Sequence, residues 1–195
     1  MDYKTIANDG IVEEEIKKSR FICHLKRISR EEEGREYIAQ IKKQHHKANH
    51  SCSAIIVGDD GQIKRSSDDG EPSGTAGVPM LTVLEKQGLT NVVAVVTRYF
   101  GGIKLGTSGL IVAYKAAAAE AIAAAEIEER TVDEDITVAF EYPYLNGIMR
   151  IVKEDNPLIV SQKFEMDCEM TLRIRKGEVE KLKNHLLKVE SAYLK

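Results

Sequence analysis

The chain has 195 residues, which is enough for one large domain or two small ones with a buried core. Its 28 basic and 31 acidic residues give a formal net charge of -3, so binding to nucleic acid would require a local basic patch. Three widely spaced cysteines, no signal-peptide pattern and no apolar run near the roughly 20 residues of a membrane helix predict a cytoplasmic protein without a membrane span.

The first part of the chain predicts a hairpin followed by a helix. Residues 11–28 alternate as strands do, with Phe21, Cys23 and Leu25 on one face. Ser29 and Glu32 have the spacing of a capping box, which predicts a helix from there to about residue 46. The elements that follow are predicted to be strands at 54–57 and 63–66, a helix at 79–88 and a buried β-branched strand at 91–97.

An alanine-dense segment from Thr107 to about Glu126 predicts a long helix, because alanine has the highest helix propensity. Thr107 or Ser108 is the expected N-cap. The charged, alanine-poor segment 126–135 follows, and we place a domain boundary there. The predicted domains are residues 1–130 and 131–195.

The second domain is predicted to contain a strand at 136–142, a helix at 143–155, strands at 158–166 and 168–174 around a turn at Asp167, and a helix at 178–189. This βαββα order is most of a ferredoxin-like split unit. A closing strand is expected to be missing or reduced to 191–194. The fold class is therefore α+β.

The glycine-rich stretch 65–109 is the best site candidate in the sequence. It holds eight of the 14 glycines, seven of them in two loops that flank an apolar span. Glycine permits positive φ angles or a close approach of the backbone to a ligand. The second loop leads into the alanine-rich helix, whose first amides would favour an anion; a simple capped helix after a tight turn is the alternative.

The candidate binding residues are polar, charged or glycine residues in or beside these loops. They are His50, Arg65, Asp69, Glu71, Ser73, Thr75, Arg98, Tyr99, Lys104, Gly106, Thr107 and Ser108. No catalytic residue, metal ligand or cofactor is assigned. Tyr99 and Phe100 suit either a stacking platform for bases or a hydrophobic core.

Three other constellations in the same region have weaker patterns. The acidic group 68–71 suits a divalent cation or, more simply, a solvated turn, because the spacing of a calcium loop is absent. His45, His46, His50 and Cys52 match no usual zinc-finger spacing. Ser73, Ser108 and Cys52 are conceivable nucleophiles beside His50, but no nucleophile elbow surrounds either serine.

Three segments together resemble the signature of the IMPACT family, in its bacterial YigZ/YvyE type. They are residues 50–54, residues 65–80 and residues 95–110, and the resemblance extends over most of residues 1–130. It implies an N-terminal domain like the second domain of small-subunit ribosomal protein five. The C-terminal segment resembles the family's ferredoxin-like domain, which is similar to domain five of elongation factor G.

The family resemblance also implies an association with translation. Eukaryotic members inhibit a stress-response kinase pathway by competing for its activator protein, and bacteria lack that kinase. Two hypotheses follow for this chain. The first is a non-enzymatic regulator that binds RNA, the ribosome or a translation-linked protein through the glycine-rich loops. The second is a protein or enzyme, hydrolase or kinase-like, that binds a small anionic ligand in the same cleft.

Overall fold

The computed structural model describes residues 2–195 as two compact units, Asp2–Arg130 and Thr131–Lys195. The elements of the first unit, in chain order, are β1 (Asp2–Ile6), β2 (Gly10–Ile16), β3 (Ser19–Arg27), α1 (Glu31–Gln44), β4 (His50–Val57), β5 (Ile63–Ser67), α2 (Gly77–Lys86), β6 (Val92–Tyr99), α3 (Gly106–Ala125) and β7 (Ile127–Thr131). The predicted hairpin is confirmed as β2 and β3, whereas β1 and β7, which pair with each other, were not predicted.

A five-stranded antiparallel sheet in the order β2-β3-β6-β4-β5 forms the centre of the first unit. Strand β6 lies in the middle, and its β-branched residues are buried on both faces. Val92, Ala94 and Val96 pack in one core with residues of α2 and α3, while Val93 and Val95 pack in a second core with α1. This two-sided burial explains why the segment is a continuous apolar run.

Helix α3 packs one alanine-rich face against this sheet. Its buried residues recur at helical spacing and are Leu110, Ala113, Tyr114, Ala117, Ala118, Ala121, Ile122 and Ala125. By length and hydropathy α3 is apolar enough to span a membrane, the one such helix in residues 2–195, so the expectation that no run approaches that length is wrong. Its apolarity is that of a core helix, because this face belongs to the first hydrophobic core.

Both predicted N-caps are wrong in detail. Helix α1 begins at Glu31, and the Ser29 backbone N–H and hydroxyl both donate to the carboxylate of Glu33 instead of Glu32. Helix α3 begins at Gly106 with Leu105 in the N-cap position. Leucine offers no oxygen to cap a helix, so no side chain in the described part of the chain caps α3.

The second unit contains β8 (Asp133–Glu141), a 3-10 turn (Tyr142–Tyr144), α4 (Leu145–Asp155), β9 (Leu158–Lys163), β10 (Asp167–Arg175), a 3-10 turn (Lys176–Glu178), α5 (Val179–Leu186) and β11 (Tyr193–Leu194). Its antiparallel sheet has the order β11-β8-β10-β9, and both α-helices contribute to a single core. The βαββαβ order is that of a split βαβ unit. The closing strand is short, as predicted, and Asp167 lies in β10 rather than in the turn before it.

His24 on β3 is a buried histidine, and burial disfavours the protonated, charged form of its ring. The residue is 3% exposed, and its Nδ1 atom is buried without a hydrogen-bond partner among residues 2–195. Burial lowers the pKa of His24, and the nearby His45, with ring centroids 5.5 Å apart, lowers it further.

We therefore expect stability to fall as the pH drops below about 6.5, the ordinary pKa of histidine in an unfolded chain. Below that pH the unfolded chain binds a proton at His24 that the folded protein binds only at lower pH. His24→Leu should flatten this decline by up to about 1.4 kcal/mol per pH unit, the limit for one proton. Urea unfolding from pH 8 to pH 5 measures the slope. His46→Leu, at an exposed position, is the control, and equal slopes for His24→Leu and the parent chain would contradict the prediction.

Candidate functional site

The two glycine-rich loops and the ends of β4 and β6 surround a cavity of about 450 Å³, which we call the His50 cavity. His50 begins β4, and Arg98, near the end of β6, is its partner in the antiparallel register. The polar lining residues are Asn49, His50, Glu71, Arg98, Lys104 and Thr107. The remaining lining residues are Pro72, Phe100, Leu105, Gly106 and Leu110.

A buried ion pair between Arg98 and Glu71 forms the floor of the cavity. Arg98 Nη1 donates to Glu71 Oε1 at 2.7 Å, and the two side chains are 7% and 3% exposed. The Tyr114 hydroxyl on α3 donates to the same oxygen at 2.7 Å. Burial raises the pKa of Tyr114, which keeps its hydroxyl protonated as a donor. Two donors thus neutralise and fix a carboxylate that would otherwise be costly to bury.

The guanidinium of Arg98 is held from several sides. Its Nη2 atom donates to the Ser19 hydroxyl at 3.3 Å, and its Cζ lies 5.6 Å from the ring centroid of Phe21 and 5.4 Å from that of Phe100. These distances are in the range of cation–π attraction. The Nε atom is buried and has no hydrogen-bond partner in the described part of the chain.

His50 lies beside this ion pair with a defined ring orientation. Its Nδ1 atom is 2.9 Å from the carbonyl oxygen of Asp69. A carbonyl oxygen only accepts, so Nδ1 carries the hydrogen. The other ring nitrogen, Nε2, lies 3.7 Å from Glu71 Oε2, which is longer than a hydrogen bond.

The acidic residues of the first loop have separate structural tasks. Asp68 accepts from the backbone N–H groups of Gly74, Ala76 and Gly77 at 2.8 to 3.1 Å, which fixes the loop and the start of α2. Burial opposes ionisation of Asp68, but these three bonds outweigh it and lower its pKa. Asp69 accepts from Lys42 at 2.9 Å and from the backbone N–H of Ser51 at 2.7 Å. These bonds account for the acidic group without a cation.

The structure brings six of the twelve candidate residues to the cavity and leaves six outside its lining. Those that line it are His50, Glu71, Arg98, Lys104, Gly106 and Thr107. Asp69 supports His50 from behind through its carbonyl, and buried Thr75 donates to the Pro72 carbonyl at 2.5 Å within the first loop. Ser73 and Ser108 are exposed outside the lining, so His50, Glu71 and Ser108 do not form one polar group.

Arg65 and Tyr99 point to other parts of the unit. Arg65 lies on β5, where it pairs with Glu31 of α1 at 2.8 Å. Tyr99 follows Arg98 on β6, so its side chain lies on the opposite face of the sheet. There its hydroxyl is 2.8 Å from His45 Nδ1, and Arg20 lies over its ring.

The residues considered for a metal site or a nucleophile do not come together in one site. His45 contacts Tyr99, His50 contacts Asp69, and the Cys52 thiol donates to the Asp68 carbonyl. Within residues 2–195 no three His, Cys, Asp or Glu side chains cluster in a way that would hold a metal ion. Burial raises the pKa of Cys52 to about 12, so the thiol is a poor nucleophile.

Sequence reasoning missed Ser19 and Tyr114, which add one hydrogen bond each to the ion pair. Tyr114 falls within the predicted alanine-rich helix, and the sequence analysis gives it no role of its own. Its hydroxyl was the available signal, since a buried tyrosine usually has a polar partner. Ser19 lies 79 residues from Arg98 in the chain, and no local pattern connects the two.

The comparison with known proteins bears on the whole chain. The family model described as the Impact N-terminal domain matches residues 17–122. The IMPACT family member YvyE of Bacillus subtilis (strain 168) is 44% identical over 176 residues, which cover 90% of this chain and 81% of YvyE. The chain belongs to the IMPACT family.

Further comparisons extend the similarity of this IMPACT family member. YigZ of Escherichia coli (strain K12) is 38% identical over 156 residues, which cover 79% of this chain and 76% of YigZ. The crystal structure of a hypothetical protein, 33% identical, superposes with a TM-score of 0.71 and covers 99% of this chain and 96% of that protein. The mixed α/β fold of the chain is therefore shared with an experimentally determined structure.

The buried ion pair makes a strong prediction for the stability of this IMPACT family member. Glu71→Gln keeps the shape of the side chain but leaves the Arg98 charge buried without a counter-ion, so we expect a loss of about 3 kcal/mol in the free energy of unfolding. Glu13→Gln is the matched control, because the pair of Glu13 with Arg20 is half exposed and screened by water, so its loss should change stability far less. Urea unfolding compares the two; similar losses would refute a dominant role for the buried pair.

Three glycines of the second loop should differ in their response to alanine. A Cβ on Gly101 would lie 1.9 Å from the Lys18 carbonyl oxygen, so Gly101→Ala must displace a backbone and should cost about 3 kcal/mol. Gly106 and Gly102 have φ angles of 74° and 89° with no atom within 4 Å of an added Cβ. Their alanine variants should lose only about 1 kcal/mol, from the backbone strain. Thermal unfolding gives the order, and a Gly106→Ala loss as large as that of Gly101→Ala would disprove it.

Proposed function

We propose that this IMPACT family member is a cytoplasmic, non-enzymatic regulator linked to translation that binds structured RNA of the ribosome. The proposal takes its link to translation from the family. Its RNA-binding part rests on one observation, a group of exposed lysines on two contacting loops, one of which, Lys104, lines the His50 cavity. The likeness of the two units to domains of ribosomal protein five and elongation factor G is part of the same proposal.

The lysine rim consists of Lys17, Lys18 and Lys104. Lys17 and Lys18 form the exposed turn between β2 and β3, and Gly101 packs directly against the Lys18 backbone. The loop that carries Lys104 is thereby held against this turn. All three lysines are exposed, and none forms an ion pair within residues 2–195. Unpaired lysines on one edge provide the local positive patch that the net charge of the chain does not.

Exposed apolar side chains accompany the lysine rim. Phe100 is 46% exposed and Ile103 is 42% exposed, both in the loop that carries Lys104. Asn49 accepts from the Phe100 backbone N–H at 2.8 Å, which fixes the position of this residue. An aromatic face beside cations is the combination that stacks unpaired bases and binds phosphates. RNA with splayed bases fits this surface better than a regular duplex does.

The test is a salt titration of binding to purified ribosomal subunits and to protein-free ribosomal RNA. We expect saturable binding to both at low salt, with affinity that falls steeply as salt increases. Lys17→Gln together with Lys18→Gln should reduce the slope of log affinity against log salt by about 2, because each lysine that pairs with a phosphate contributes about 1 to that slope.

Lys86→Gln is the control, because it removes an exposed charge from α2, outside the rim and the cavity lining. Its slope should equal that of the parent chain. Binding to subunits but not to free RNA would identify a ribosomal protein as the partner. No saturable binding to either at low salt would reject the proposed function.

A further inference from the structure

The His50 cavity contains two adjacent acceptor atoms that lack a donor between them. His50 Nδ1 carries the ring hydrogen because it faces the Asp69 carbonyl, so Nε2 of the neutral ring presents a lone pair. Glu71 Oε2, which lies 3.7 Å away, is likewise an acceptor. The carboxylate cannot turn away, since its other oxygen is bound by Arg98 and Tyr114. An ammonium group placed between the two atoms could donate to both, and a hydroxyl could donate to one of them.

The opposite part of the cavity favours negative charge. Lys104 lines it and has no ion pair in the described part of the chain. Gly106 and Thr107, the first two residues of α3, also line it, and no side chain of residues 2–195 caps this helix. The free amides and the helix dipole at such a start attract a carboxylate or phosphate.

A third observation points to an incomplete set of hydrogen bonds. Arg98 lines the cavity, is only 5% exposed, and its Nε atom has no partner among residues 2–195. Buried donors in native proteins are rarely left in this state. Pro72, Leu105 and Leu110 form an apolar part of the cavity lining. A volume of about 450 Å³ is within the range of small-molecule sites.

We infer that the His50 cavity is a binding site for a small anion that also carries a hydroxyl or ammonium group. The donor group lies between His50 Nε2 and Glu71 Oε2, and the anionic group lies toward Lys104 and the start of α3. An amino acid, a hydroxy acid and a sugar phosphate share this chemistry. The inference goes beyond the RNA-binding proposal and does not depend on it, because the two sites share Lys104 but the ligand lies in the cavity and Lys17 and Lys18 lie outside its lining.

Isothermal titration of the full chain with matched probes tests this inference. Leucine, leucic acid and glycerol phosphate carry both groups and represent the three sources. Isocaproate and propyl phosphate carry the anion without the donor, and isoamylamine carries the amine without the anion. We expect at least one probe with both groups to bind at least tenfold more tightly than its counterparts with one group. The probe that binds identifies the source.

Two variants locate the bound molecule. His50→Phe keeps a ring but removes the acceptor, so it should weaken the two-group probe at least tenfold and leave the anion-only probe unaffected. Lys104→Gln, at an exposed position, should weaken both anions, and Lys86→Gln should weaken neither.

The inference is overturned if no two-group probe binds at millimolar concentration or if each binds no more tightly than its one-group counterparts. It is also overturned if Lys104→Gln leaves the affinity of the binding probe unchanged. This test can be made even if His50→Phe fails to fold. Loss of RNA binding in Lys17→Gln with Lys18→Gln, with the probe still bound, would separate the two sites. Failure of RNA binding in the parent chain leaves this inference standing.

Discussion

The ion pair of Arg98 and Glu71 determines how the parts of the first unit meet. Its two charges are almost completely removed from water, which is tolerable only where each charge keeps its hydrogen bonds. Those bonds come from different parts of the chain: Ser19 at the start of β3, Glu71 in the first loop, and Tyr114 on α3. A shift of any of these elements would leave a buried charge without a hydrogen bond in an apolar environment. The hairpin, the loop, β6 and α3 are therefore positioned as one group.

This constraint explains the difference between the two glycine-rich loops. The first is fixed by a carboxylate, since Asp68 satisfies three backbone amides and Asp69 joins the loop to β4 and α1. The second contains no comparable side chain and is held from outside, by Asn49, which accepts from the Phe100 N–H, and by the packing of Gly101 against Lys18. The rigid loop supplies the negative charge of the cavity floor. The loop with fewer side-chain anchors supplies the exposed Lys104 and Phe100.

Most of the fold could be predicted from the sequence because its elements have strong local patterns. The β-branched run of β6, the alanine-rich α3 and the alternation of β3 each specify their own conformation and burial. The pairing of β1 with β7 could not be predicted, because both segments are short and neither has a periodic apolar pattern. The start of α1 was misassigned because Ser29 donates to Glu33 and not to Glu32. Local patterns thus predicted the elements but not their long-range partners.

The candidate site was predicted in part for the same reason. Glycine content located both loops, and strand alternation would have separated Arg98 from Tyr99, because adjacent residues of a strand lie on opposite faces. Arg65, on the edge strand β5, was included only for its place in the motif and its charge. The partners of the ion pair are brought together only by the tertiary structure, so no local sequence pattern identifies them.

The sequence separations within the ion-pair group also have a kinetic consequence. Glu71 is 27 residues from Arg98 and 43 from Tyr114, and Ser19 is 79 residues from Arg98. Interactions between distant segments form only after large loops have closed, and they slow folding as their span increases. The cavity therefore does not exist in a nascent chain that has released only the β2–β3 hairpin. It is completed when α3, with Tyr114, joins the sheet, so an emerging chain gains the cavity only after α3 has been synthesised.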